Sequence, residues 1–377
     1  MRNIIKSILL ALLVLLSPNF IHASKLAKMA KKSGEIRIKD VSPHKGLNLN
    51  YNYGEMELVF WDKNEIVLKY DECVRASSQK RADEILQQRI AIKSIEGHYF
   101  RVGKADDSSV SFNSKWTVYV PSHISSVAAS NSFGNITVGK GFPGLIRIDV
   151  QNGDVNIPET KAMCVVEVTH GNFYVGNAAY LNMTTKHANG TISFAQTLKV
   201  QAEHADFCKI DKADVMTINS KHSKIKVGNV GQLSSQGSYS TLEVNELSGL
   251  ANIRDMQHST IEMDKFLGKL DATDLSYSKL NITISKFNHT PFIMVTDLDY
   301  TDVKVKLPAS LRTSTYVNGK GSCRSISSGT AKIKSSAPWS SPNGISSHVF
   351  QNPESFTPNS LIDINNESYG TILIEEY

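Results

Sequence analysis

The chain has 377 residues and a formal charge of +5, from 41 Lys and Arg against 36 Asp and Glu. The two signs are interspersed along the chain, which excludes the concentrated basic footprint of a nucleic-acid binder. Cys73, Cys164, Cys208 and Cys323 are scattered with no C-x-x-C pair, so neither a disulfide scaffold nor a structural zinc site is predicted.

Arg2 and Lys6 precede an apolar run from Ile8 to Leu16, and Ile21-His22-Ala23 offers a cleavage site. Residues 1–23 therefore read as a signal peptide, and the chain is predicted to be exported to the periplasm, the cell surface or the medium. The apolar run falls short of the roughly 20 residues that a membrane helix requires, and no transmembrane span is predicted in the mature chain. Cleavage would remove two positive charges, taking +5 to +3. Lys25, Lys28, Lys31 and Lys32 would then crowd the new amino terminus, where they read as a solvated, frayed tail.

Residues 24–125 read as a capping segment. The runs IRIKD, LNLNYNYGEMELVFW and EIVLKY have the alternation of strands. One helix is expected over residues 78–89, with Ser78 as its N-cap and Ala82, Ile85, Leu86 and Arg89 on one face. Arg89 breaks that apolar stripe. The runs IAIKSI, YFRV and WTVYVP return to strand.

From residue 126 to 307 the chain repeats itself. A ring or amide residue is followed by a small residue, any residue, then an apolar-any-apolar triplet: FGNITV, NGDVNI, HGNFYV, NGTISF, HADFCK, HSKIKV, YSTLEV, HSTIEM, YSKLNI and YTDVKV. Successive matches lie 19, 18, 19, 15, 18, 17, 19, 19 and 23 residues apart. HADFCK fits worst, with Lys209 in its last apolar place, while YGEMEL at Tyr53 and YGTILI at Tyr369 stand outside the series.

A second alternating run precedes each match, such as Ile146, Ile148 and Val150 before Asn152. Two short half-buried strands per unit cannot enclose a core alone, so the units must stack. The predicted fold is all-β: a right-handed parallel β-solenoid of about ten coils of roughly 18–19 residues. The small residues Gly134, Gly153, Gly171, Gly190, Ala205, Ser223, Ser240, Ser259 and Ser278 are assigned to a tight inward corner, and Cys164 to an inward position. Residues 308–377 form a last segment. Ser, Pro, Asn and Gly crowd Ser335 to Ser360, which suggests a surface loop or disorder, and IDINNESYGTILIEEY returns to strand.

Three features could carry chemistry. His258-Ser259 invites a base-and-nucleophile reading, but the repeat makes Ser259 a corner residue and sets His258 outward, against Tyr239 and Tyr277. Asp255, Asp274 and Asp297 each stand three residues before a ring and would form an acidic ladder. They are either turn residues bonded to their own backbone or, in a polysaccharide lyase or hydrolase, the catalytic acids and bases. The outward column His170, His204, His222, Tyr239, His258, Tyr277 and Tyr300 could hold a metal between His204 and His222 on adjacent turns, but reads more plainly as a stacking ladder. Its members His204, His222, Tyr239, His258, Tyr277 and Tyr300 are the candidate binding surface for a protein or glycan. No phosphate-cradling loop, zinc-protease motif, nucleophile elbow or calcium-binding nonapeptide is present. No cofactor and no metal site is predicted.

The WDKNEIVLKY strand, the ADEILQQRIAIKSI helix-to-strand step, the WTVYVP entry and the Y-G and Y-S turns, behind an export signal, resemble the putative adhesin domain family of Gram-negative bacteria. That family is related to the head domains of putative autotransporter adhesins. The resemblance spans residues 30 to 307 and residues 368 to 377. It implies an exported, non-enzymatic β-solenoid of the cell envelope and supplies no site residues. This chain departs from the family by using His where Tyr is commoner and by its Ser/Pro/Asn-rich segment. The long series of alternating strands that an autotransporter barrel needs is absent from the tail.

Overall fold

The computed structural model describes residues 28–41, 46–90, 92–95, 99–102, 111–285, 292–308, 313–319, 325–328, 334–340, 346–351, 360–366 and 370–377. The chain is a parallel β-solenoid of about nine turns with one described helix. The proposed signal peptide and Cys323 lie outside the described residues, as does Tyr369. Among the described residues, no helix is long and apolar enough to cross a membrane.

The repeat builds two walls. On the first, Ile146, Ile148 and Val150 pair in parallel with Cys164, Val166 and Val168. On the second, Leu242 and Val244 sit over Ile261 and Met263, which sit over Leu280 and Ile282, then Val303 and Val305. All of these residues are buried. Period-two alternation thus becomes an unbroken column of aliphatic side chains, each in contact with its equivalent one coil away. Residues 17 to 23 apart in sequence become rung neighbours.

The repeat starts earlier than its run of matches. Gly46–Tyr51 and Glu55–Trp61 form a coil whose strands pair in parallel with Ser126–Asn131 and Ile136–Val138. Tyr53, which the sequence set outside the series, turns that coil, and its ring stacks on Phe133 at 4.8 Å. The intervening residues fold over the exposed end. Lys115–Pro121 pairs in parallel beneath Glu55–Trp61, then Glu65–Ala76 and Lys28–Lys39 add antiparallel strands. Lys28, Lys31 and Lys32 therefore belong to a paired edge strand, correcting their reading as a frayed tail. Lysines on an edge strand discourage pairing with another chain.

The helix runs Gln79–Ile90. The Ser78 hydroxyl accepts the Arg81 N–H at 3.3 Å, as an N-cap should. Ala82, Ile85 and Leu86 pack on Ala30, Val74 and Ala76.

The far end closes out of order. Thr313–Gly319 and Ser325–Ser328 do not follow directly on the coil of Phe292–Asp299 and Asp302–Leu307. Ser360–Asn366 and Thr371–Glu376 lie between, paired in parallel on both sides. The last strands thus pair back onto the preceding coil and fill an inner rung, rather than closing the far end. The stretch read as loop or disorder contains two strands, Lys334–Ser340 and Ser346–Gln351, paired antiparallel.

Cys164 and Cys208 are buried as free thiols, and burial pushes each up to about 12. Below about pH 9 both folded and unfolded chains carry neutral thiols, so nothing is lost. Between about pH 9 and 12 only the unfolded chain ionises, and stability falls as pH rises. At pH 10.5 the expected loss is about 2 kcal/mol per thiol. Urea melts at pH 8 and 10.5 should show it, and replacing both cysteines with Ala should flatten that difference.

Candidate functional site

Every coil but that of Phe133, where Gly134 carries the positive φ of 154°, turns at the residue in the ring position itself. Tyr53, Asn152, His170, His187, His204, His222, Tyr239, His258, Tyr277 and Tyr300 all have φ between 46° and 61°, in the left-handed region. This corrects the assignment of the turn to the small residue that follows, except at Gly134, where the assignment holds. It also accounts for the residue choice, because Asn and His enter the left-handed region more readily than most non-glycine residues.

One coil is also re-registered. The ring of the fourth coil is His187, not the Asn189 of the NGTISF match. The small residue behind it is the buried Ala188, while Gly190 pairs with Cys208 inside a strand. The irregular steps of 19 and 15 residues around Asn189 become 17 and 17, counting His170 to His187 to His204. HADFCK carries an extra residue, so the inward pair there is Cys208 and Ile210 and Lys209 points out.

The small residue does a different job from turning. From Ala205 to Ser278, just past the left-handed corner, its N–H meets a side chain of the next coil in place of a backbone carbonyl. The hydroxyl of the equivalent residue one coil on accepts it: Ala205 to Ser223, Ser223 to Ser240, Ser240 to Ser259, Ser259 to Ser278 and Ser278 to Thr301, at 3.1–3.3 Å. Each serine hydroxyl donates in turn to the carbonyl two residues before it, Ser259 to Gln257 at 2.8 Å. In the coils of Gly134, Gly153 and Gly171 there is no room for a side chain, and a Cβ at Gly171 would fall 1.9 Å from the Gly153 carbonyl oxygen.

Ser259 is 3% exposed with its hydroxyl fully committed, and His258 faces the other way. The pair is structural. Ser259→Ala should leave the Ser240 N–H buried without an acceptor and cost about 1–3 kcal/mol, read in urea melts against Ser→Ala at an exposed site.

The rings form one column. His170, His187, His204, His222, Tyr239, His258, Tyr277 and Tyr300 stack in unbroken sequence, centroids 4.7–4.9 Å apart and planes within 13° of parallel. All six candidate binding residues lie in it, and His187 is the member that the sequence missed. The spacing is that of the strands beneath. Face-to-face stacking changes what the column can offer. The faces of the inner rings are covered by their neighbours, so the surface presents ring edges, with phenol hydroxyls and imidazole nitrogens, at one per rung. Tyr239 and Tyr277 remain 53% and 52% exposed through those edges.

The acidic ladder also has a backbone origin. Asp255, Asp274 and Asp297 have φ of 49°, 57° and 54°. Where Leu250–Gln257 pairs with the preceding coil, the register slips by one between Ser235 and Gly237, which places one extra residue in the newer strand. That residue is a left-handed bulge, and Asp tolerates the conformation. The bulge keeps Ile253 and Met256 both inward. The three aspartates are exposed one rung apart, and Asp297 accepts the Thr273 hydroxyl at 3.0 Å. Depressions of about 490, 290 and 250 Å³ lie beside Tyr70, Glu203 and Asn281, and none of these three is lined by the aspartates. Among the described residues no group of three or more His, Cys, Asp or Glu converges on a point that could hold a metal ion.

No protein-family model matches the chain, and no curated protein matches it. Among solved structures it is similar to a crystal structure of a putative cell adhesion protein from Clostridium sporogenes. The identity is 11% and the TM-score 0.18, with 92% of this chain and 100% of that one covered. At that level the likeness carries no weight, and the fold rests on the rung register of the chain itself.

Proposed function

We propose that the chain is an exported, non-enzymatic binding or structural module of the bacterial cell envelope, adhesin-like, which uses the ring column as its contact surface for a protein or glycan. The observation that carries this reading is the column: eight solvent-facing rings at one-rung spacing on a rigid wall. The features that first suggested catalysis, Ser259 and the three aspartates, already have backbone roles. Edges rather than faces are on offer, so the fitting partner is one that hydrogen-bonds along a line, rather than one that needs a sugar ring laid flat on an aromatic face.

Arrays of envelope polysaccharides and matrix proteins probed with the mature chain should return a partner. Its binding should fall at least tenfold when Tyr239 and Tyr277 are replaced by Asn, which keeps the left-handed corner, as at Asn152, but removes the ring. Binding untouched by those changes would move the contact elsewhere. Polysaccharide cleavage that is lost in Asp274→Asn would overturn the non-enzymatic reading.

A further inference from the structure

Four consecutive coils place an imidazole in the column before any phenol interrupts it: His170, His187, His204 and His222, at 4.9 Å from ring to ring. The planes of the last three agree within 3°. All four rings are exposed, and no described residue hydrogen-bonds to their ring nitrogens. Because the rings are parallel and share one backbone conformation, equivalent nitrogens repeat along the edge at the rung spacing. His258 is set apart from this run by Tyr239 and flanked by Tyr277.

We propose that this four-histidine strip is a binding site for borderline divalent transition metals, Zn(II), Ni(II) or Cu(II), each ion held by imidazoles from two adjacent coils and completed by water. This goes beyond the contact surface proposed above and does not depend on it. Neutral imidazole nitrogens suit these ions and not Ca(II) or Mg(II), which prefer oxygen.

Two nitrogens bound at about 2.0–2.1 Å in tetrahedral geometry lie roughly 3.3 Å apart. From 4.9 Å, each ring tip must lean inward by less than about 1 Å. Because an imidazole lone pair lies in its ring plane, the two rings must also rotate out of their parallel stack to converge on one ion, a movement open to rings whose edges face solvent. If each imidazole is used once, the strip holds at most two ions, at His170 with His187 and at His204 with His222. The nearest carboxylate before a ring, Glu203, is already paired with Lys186 at 3.5 Å, so attraction by bare charge is weak and nitrogen ligation has to supply the affinity.

The test is a calorimetric titration of the mature chain with Ni(II) and Zn(II), with Mg(II) as control, and electron paramagnetic resonance of the Cu(II) form. The expected result is up to two ions per chain at micromolar affinity, no Mg(II) uptake, and a Cu(II) spectrum split by two nitrogens. In His187→Tyr with His204→Tyr the column still stacks, as it does at Tyr239 and Tyr277, but no two imidazoles are adjacent. Affinity should drop at least tenfold and the spectrum should fall to one nitrogen. The same pair changed to Asn, the residue at the Asn152 corner, guards against a folding defect peculiar to Tyr, and His258→Tyr, outside the strip, should leave metal uptake unchanged. Equal binding in the double variants, or none in the unaltered chain, overturns the proposal.

Discussion

Arg89→Met should cost about 3–5 kcal/mol, more than any other single change considered for this chain, because it strands a buried carboxylate. Arg89 and Glu72 are both essentially inaccessible, and Arg89 Nε donates to Glu72 Oε2 at 2.8 Å. The same guanidinium donates to the Tyr51 hydroxyl at 2.6 Å and to the carbonyls of Asn52 and Tyr53 at 3.0 and 3.1 Å. Glu72 also accepts from Tyr51 at 2.6 Å and from Ser114 and Trp116. Burial pushes the Tyr51 phenol well above its ordinary range, so it stays a donor. This knot ties the helix to the first coil and to the strands beneath it, where the solenoid would otherwise end in open rungs. Changing Glu72→Leu in the same chain should recover part of the loss, since no charge is then left unpaired. The recovery should be incomplete, because Tyr51, Ser114 and Trp116 still lose an acceptor.

A solenoid's coils touch only their neighbours, so the damage should stay local. Hydrogen exchange in Arg89→Met should quicken in Gly46–Tyr51 and Glu55–Trp61 and stay nearly unchanged in Thr260–Phe266. Uniform quickening along the whole chain would mean that the end knot governs a single cooperative unit instead.

How far the sequence showed this can be judged from particular residues. The walls were legible because burial follows a period of two and the I-x-V pairs repeat, and that signal survives any local irregularity. The turns were not legible at the same resolution. Which residue has a positive φ is a backbone property, and a small residue beside a ring points equally to either one as the turn. The same ambiguity misplaced the fourth coil, where Asn189-Gly190 imitates the pattern that His187-Ala188 in fact fills. Tyr53 escaped because more than sixty residues of capping chain separate it from Phe133, its neighbour in space. The Glu72–Arg89 knot did leave a trace. Arg89 breaks an apolar helix face, and Glu72 takes an inward place between Tyr70 and Val74. Two opposite charges in inward positions are a reason to expect a pair, although their contact across 17 residues needs the fold to show it.

Deleting residues 360–377 should be more damaging than a terminal truncation usually is. Ends of chains commonly fray at little cost, but this one supplies an inner rung. Ile362 and Ile364 lie in the first wall and Ile372 and Ile374 in the second, each at most 1% exposed. Their burial is worth about 1.5–3 kcal/mol each, hence roughly 6–12 kcal/mol gross as an upper bound. Without them, Thr313–Gly319 would stand two rungs from Phe292–Asp299, roughly 9.6 Å away, beyond backbone hydrogen bonding. Either the outer strands drop inward by a rung, or the coil of Phe292–Leu307 is left with open edges facing a second chain. The truncated protein should therefore aggregate at concentrations where the full chain does not, as read by light scattering. A synthetic peptide of residues 360–377, added during refolding, should suppress that aggregation by supplying the missing rung as an added strand. A truncated chain that stays free of aggregate and melts like the full one would show that the outer strands can take the place of the inner rung unaided.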